Sequence, residues 1–92
     1  MYSVYLVRCA DGSLYTGIST DPLRRVHEHN TGTRASAYTR SRRPVVLVYT
    51  QSIGTKSEAL KEEARIKELS KREKEMLITS HPLPLAGEPA CR

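Results

Sequence analysis

The stretch Tyr2-Ser-Val-Tyr5-Leu-Val-Arg-Cys9-Ala10-Asp11-Gly12-Ser13-Leu-Tyr15-Thr16-Gly17-Ile18 decides the fold. Its two halves, over 2–9 and 13–19, alternate with β-branched and aromatic residues around Asp11-Gly12, the pattern of a β-hairpin. Loop length sets which faces the tyrosines take. A two-residue Asp11-Gly12 turn pairs Arg8 with Tyr15 and sends Tyr5 and Tyr15 to opposite faces. A three-residue loop, Ala10-Asp11-Gly12, pairs Val7 with Tyr15 and Tyr5 with Gly17, with Gly12 left-handed in a G1 bulge. Both rings then share one face, and Gly17 leaves open space opposite Tyr5. The three-residue loop is preferred, because glycine suits the left-handed position. Every aromatic in the chain is a tyrosine. A buried tyrosine hydroxyl needs a partner, so the shared face is a candidate for chemistry as well as packing.

Working outward, Asp21 caps a helix with Pro22 at its first position, running to about Asn30-Thr31-Gly32. Leu23, Val26 and His27 are expected to form its inward stripe, with Arg24 and Glu28 paired on the outer side. Arg25 and His29 lie on a line bordering that stripe and can reach over the sheet edge. Residues 32–44 form a polar loop, and Val45 to Thr50 a third strand, whose apolar run suggests a central or doubly covered position. Thr55-Lys-Ser-Glu58 is a capping box opening a helix through about Leu69. Ser70-Lys-Arg-Glu73 repeats the signal for a last helix to about Thr79. The expected fold is α+β: a small three-stranded antiparallel sheet with an N-terminal hairpin, flanked by about three helices. Residues 1–80 make one domain, and the Pro- and Gly-bearing residues 81–92 are read as a disordered tail.

Ninety-two residues suffice for one small core. Val45-Val-Leu-Val48 is far too short to span a bilayer, and the N-terminus carries no secretory pattern. Cys9 and Cys91 have neither disulfide-framework nor zinc-ribbon spacing, so a reducing cytoplasm is the expected home. The net charge is +5, and Arg24, Arg25, Arg34, Arg40, Arg42 and Arg43 fall within twenty residues. Guanidinium forks suit phosphate oxygens, which makes a nucleic-acid backbone the leading partner and a membrane surface the weaker one. Tyr38 in the same loop is available to stack on a base.

One carboxylate is oddly placed. A helical projection of residues 57–69 gathers Ala59, Leu60, Ala64 and Ile66 on one side, with Glu63 near the middle. Such a carboxylate is costly unless paired or bound to a cation. A salt bridge to Lys67, one turn on, is one solution. A metal-binding role is the other, favoured here by the basic cluster and the tyrosines. One carboxylate suits Mg²⁺, which keeps several waters and accepts substrate phosphate, and cannot make a zinc or calcium cage.

Tyr5, Tyr15, Arg25, His29 and Glu63, in this order, resemble the GIY-YIG nuclease superfamily, particularly its small stand-alone bacterial branch. Val4-Tyr5-Leu6 stands where that family has Gly-Ile-Tyr, the tyrosine being the shared element, and Tyr15-Thr16-Gly17 matches Tyr-Ile-Gly. The family's arginine falls on Arg25, its Tyr or His four further on falls on His29, and its metal-binding glutamate on Glu63 of Ala59-Leu60-Lys61-Glu62-Glu63. Ala37-Tyr38-Thr39-Arg40-Ser-Arg-Arg-Pro44 looks like the loop of the stand-alone branch. Val4 departs from the opening glycine, and an attached targeting domain of the kind carried by repair and homing members is not expected.

The resemblance implies an endonuclease-like domain with Mg²⁺ (or Mn²⁺) as cofactor, acting on DNA more than RNA, in repair or recombination. It implies Glu63 as metal ligand, Arg25 against the phosphoryl oxygens, and Tyr5 and Tyr15 around the attacking water. Tyrosine's ordinary pKa of about 10 makes it a poor base, so Arg25 and the metal must favour the phenolate. Otherwise Tyr5 passes its proton through water, or His29 is the base itself. Arg24, Arg34, Tyr38, Arg40, Arg42 and Arg43 are the expected nucleic-acid contacts. The alternative is a non-catalytic DNA- or RNA-binding module on the same fold. A monomer, without membrane attachment, is expected, with room for a protein partner in targeting.

Overall fold

The computed structural model describes residues 1–31 and 37–81. Arg34, Cys91 and residues 82–92 of the tail expected over 81–92 lie outside the described residues. Three strands, β1 (Tyr2–Arg8), β2 (Leu14–Ser19) and β3 (Val46–Gly54), form an antiparallel sheet in the order β2-β1-β3. Around it lie α1 (Pro22–Thr31), the single turn α2 (Ala37–Arg40), α3 (Lys56–Lys67) and α4 (Lys71–Ser80). The fold is α+β, and α2 is the helix the sequence does not announce.

The hairpin takes the three-residue loop. Cys9 N–H donates to the Ser13 carbonyl at 2.8 Å, Gly12 has φ +88°, and the register pairs Val7 with Tyr15 and Tyr5 with Gly17. Gly17 does not leave a void, however. A Cβ there would lie 2.5 Å from the Tyr5 hydroxyl oxygen and 2.6 Å from Cζ, so the Tyr5 ring itself occupies the space.

The central strand is β1, not β3. All five interior residues of β1 are buried, because helices cover it on both faces and strands flank it on both sides. The apolar run of β3 belongs to an edge strand whose Val46 is 60% exposed. Alternation along β1 builds two cores. Val4 and Leu6 pack with Tyr49, Ala59 and Ile66 under α3, while Tyr5 and Val7 pack with Cys9, Val45, Tyr15 and Val26 under α1.

Both predicted capping boxes form. The hydroxyls of Thr55 and Ser70 accept from Glu58 N–H and Glu73 N–H, and each glutamate accepts in return from its cap residue's N–H. At α1, Asp21 accepts from Arg24 N–H at 3.2 Å. The inward face of α1 is rotated from the expected one. Leu23 is 60% exposed and His27 exposed, whereas His29 is fully buried. Asn30 explains the pose: its side chain donates to the Val45 carbonyl at 3.0 Å and accepts from Val45 N–H at 2.7 Å. This paired bond ties the end of α1 to the entry of β3. Among the described residues, no helix is long and apolar enough to cross a membrane.

Candidate functional site

The rotation of α1 carries the line of Arg25 and His29 over the tyrosine face of the sheet. His29 Nε2 lies 3.1 Å from the Tyr5 hydroxyl, and its Nδ1 lies 2.7 Å from Thr39 Oγ1. The rings of His29 and Tyr15 meet edge to face, 5.5 Å between centroids. Tyr15 stacks on Tyr38 at 5.8 Å, and the Arg42 guanidinium lies 4.0 Å over the Tyr38 ring. Arg42 in turn donates to Asp11 Oδ2 at 3.1 Å and to the Tyr38 carbonyl at 2.8 Å. A continuous set of contacts thus runs from the hairpin tip to Tyr5.

The inner pair of this set is sealed. Tyr5 is 2% exposed and His29 fully buried. Burial pushes the Tyr5 phenol up to about 12, reinforced by neighbouring Tyr15 and Glu63 and opposed by the charge and hydrogen bond of Arg25. Arg25 alone therefore does not produce a phenolate, because desolvation outweighs it. The same burial, together with Arg25, holds His29 below the usual imidazole range, against a smaller opposing pull from Glu28. Tyr5 keeps its proton at neutral pH, and the surroundings of His29 favour its neutral form. Two neutral tautomers satisfy the contacts: Tyr5 donates to Nε2 while Nδ1–H donates to Thr39, or both bonds run the other way.

Arg25 and Glu63 stand at the rim. The Arg25 side chain is 27% exposed and donates to Glu28 Oε1 at 3.1 Å, replacing the expected pair of Arg24 with Glu28. Arg24 instead approaches Asp21 at 4.0 Å. Glu63 is 17% exposed and its Oε2 sits 3.4 Å from Lys67 Nζ, the pairing the sequence offered as an alternative to metal. The stripe around it differs from the projection, for Leu60 is 45% exposed while Glu62 is turned partly inward and bonded to Arg65. Among the described residues, no three His, Cys, Asp or Glu side chains gather into a cluster that could hold a metal ion. Glu63 thus offers a single carboxylate. That set fits a cation keeping its own waters and does not make a zinc or calcium cage.

Among the described predicted nucleic-acid contacts, Arg24 and Arg40 are exposed, Arg42 donates to Asp11 and to the Tyr38 carbonyl, and Arg43 donates to the Arg40 carbonyl at 3.1 Å. Tyr38 keeps 38% of its surface exposed but already has Tyr15 and Arg42 against it. Thr39 and Asp11 stand outside the residues the sequence singles out. Thr39 is fully buried, and its only sequence signal is its place beside Tyr38.

Known proteins resemble this chain in sequence and in fold. The model of the GIY-YIG catalytic domain matches residues 1–76. A UPF0213 protein of Halobacterium salinarum is 53% identical over 78 residues, covering 85% of this chain and 100% of that protein. One from Desulfotalea psychrophila is 53% identical over 75 residues, covering 82% of this chain and 68% of that protein. The solution structure of a UPF0213 protein from Bacillus halodurans superposes with a TM-score of 0.57 at 44% identity, covering 91% of this chain and 89% of that one. With the tyrosine pair on one sheet face, the helix that brings Arg25 and His29 to it, and these matches, the chain belongs to the GIY-YIG family.

Proposed function

We propose that this face of the sheet edge engages the phosphodiester backbone of nucleic acid, DNA more than RNA, and hydrolyses it with the help of Mg²⁺ or Mn²⁺. The observation that carries this is the Tyr5–His29 pair, 3.1 Å apart and enclosed beside Tyr15 and Arg25. A neutral imidazole bonded to a protonated phenol can take and return a proton, which the phenol, pushed up to about 12, does not do alone near pH 7. In this reading Tyr5 relays the proton of the attacking water to His29. Arg25 leaves Glu28 and neutralises charge on the phosphoryl oxygens. Tyr15 orients the phosphate or water from the rim. Glu63 is the residue that would hold the cation, whose bound charge would stabilise the attacked phosphate and the leaving oxygen. Arg24, Arg40, Arg42, Arg43 and Tyr38 are the candidates for holding the backbone beyond the site, each exchanging its internal contacts for nucleic acid.

A second reading keeps the binding and drops the cleavage. It is favoured by the ion pairs that engage Arg25 and Glu63, and by the single carboxylate at the rim. One experiment separates the two. Single-stranded, duplex and branched DNA, and RNA, are incubated with Mg²⁺ or Mn²⁺ and wild type, Glu63→Gln or Arg25→Ala. The cleavage reading expects cutting that falls at least about 100-fold in both variants. Equal cutting by Glu63→Gln removes the metal role. No cutting, with binding that weakens steeply as salt rises, leaves the binding module.

A further inference from the structure

We infer that Thr39 is a positioning residue that accepts from Nδ1–H of His29 and so, together with the Tyr5 hydroxyl donating to Nε2, fixes the ring as the tautomer protonated on Nδ1. Both side chains are fully buried, and Thr39 Oγ1 lies 2.7 Å from Nδ1. On the other side of the ring, the Tyr5 oxygen lies 3.1 Å from Nε2. The two neutral tautomers are not equivalent chemically. A phenol is a much stronger acid than an aliphatic alcohol, so it is the better donor to imidazole nitrogen. Tyr5 therefore donates to Nε2, and Thr39 is left to accept from Nδ1–H. This is the orienting role a carboxylate plays behind a catalytic histidine, performed here by a neutral group that does not draw the imidazole into its charged form.

The surroundings leave His29 little other freedom. It is faced by Tyr5 from β1, Tyr15 from β2, Thr39 from α2, and Arg25 and Glu28 of its own helix. The single turn of α2 thus holds the ring indirectly through Tyr38, which stacks on Tyr15, and directly through Thr39. The catalytic consequence of this assignment rests on the cleavage reading; the tautomer does not.

Histidine ¹⁵N NMR of the full chain, in wild type, Thr39→Ser and Thr39→Val, tests it without substrate. Wild type and Thr39→Ser are expected to show a protonated Nδ1 and a bare Nε2. Thr39→Val, which keeps the shape and removes the acceptor, is expected to shift His29 toward the Nε2-protonated form. With a cleavable nucleic acid, kcat of Thr39→Val should fall on the order of tenfold with KM unchanged, and Thr39→Ser should recover most of it. A protonated Nε2 in wild type, or an unaltered tautomer in Thr39→Val, overturns the assignment. If wild type cuts nothing, the cleavage reading fails while the tautomer still decides Thr39. If Thr39→Val does not fold, Nδ1–H in both wild type and Thr39→Ser supports the assignment, and Nε2–H in either defeats it.

Discussion

At Tyr5, one side chain shows how burial and charge compete. Its ring fills the space over Gly17, its hydroxyl meets His29, and loss of water outweighs the nearby guanidinium. The phenol therefore holds its proton more tightly in the folded chain, at about 12, than in the unfolded chain at about 10. The sign follows from linkage. Stability from this group is fully present below pH 10 and is lost as pH rises to 12, because the unfolded chain gives up the proton first. Alkaline denaturation should show this loss, on the order of 2–3 kcal/mol, and Tyr5→Phe should remove that part of the slope. Ultraviolet titration should show the last tyrosine to ionise missing from the same variant. An unchanged titration would place Tyr5 in water rather than in the site.

At the level of elements, the site is a matter of register. Tyr5 and Tyr15 share a face only because Ala10-Asp11-Gly12 forms the loop, and Gly17 is required opposite Tyr5 because that ring crosses it. Gly17→Ala should drive the Tyr5 ring out of line with His29. The expected cost is about 1–3 kcal/mol of stability, typical of overpacking, with a larger proportional loss of any cleavage. Urea unfolding and ¹H–¹⁵N spectra at His29 would check it, and a stable variant with an unshifted His29 would rule out the close approach. The hairpin and both capping boxes were legible in sequence because each depends on a few neighbouring residues. The inward face of α1 was not. Leu23 and His27 fit a helical stripe as well as Arg25 and His29 do, and Asn30, bonding across to Val45, sets the choice.

Over the whole molecule, β1 divides two cores, and the proposed chemistry occupies one of them. Val4, Leu6 and Ile66 stabilise the face away from His29. Ile66→Ala should cost about 2–5 kcal/mol, a large share of the stability of a domain this size. Calorimetry should record a fall in Tm of roughly 10 °C or more. At temperatures where the variant remains folded, the His29 signals should be unchanged; their loss would mean that the two faces are not separable. The same division separates what neighbouring residues settle from what depends on residues distant in the chain, and the sequence carries the first. By itself it determined the hairpin register, the caps, the tyrosine pair and the carboxylate at Glu63, all of which rest on local turn chemistry and side-chain period. Only tertiary structure decided that β1 is central, that Arg42 and Tyr38 cover Tyr15, that Thr39 meets His29, and that Tyr5 keeps its proton. Those outcomes depend on which groups exclude water from one another, and residues far apart in the chain do that only after it has folded.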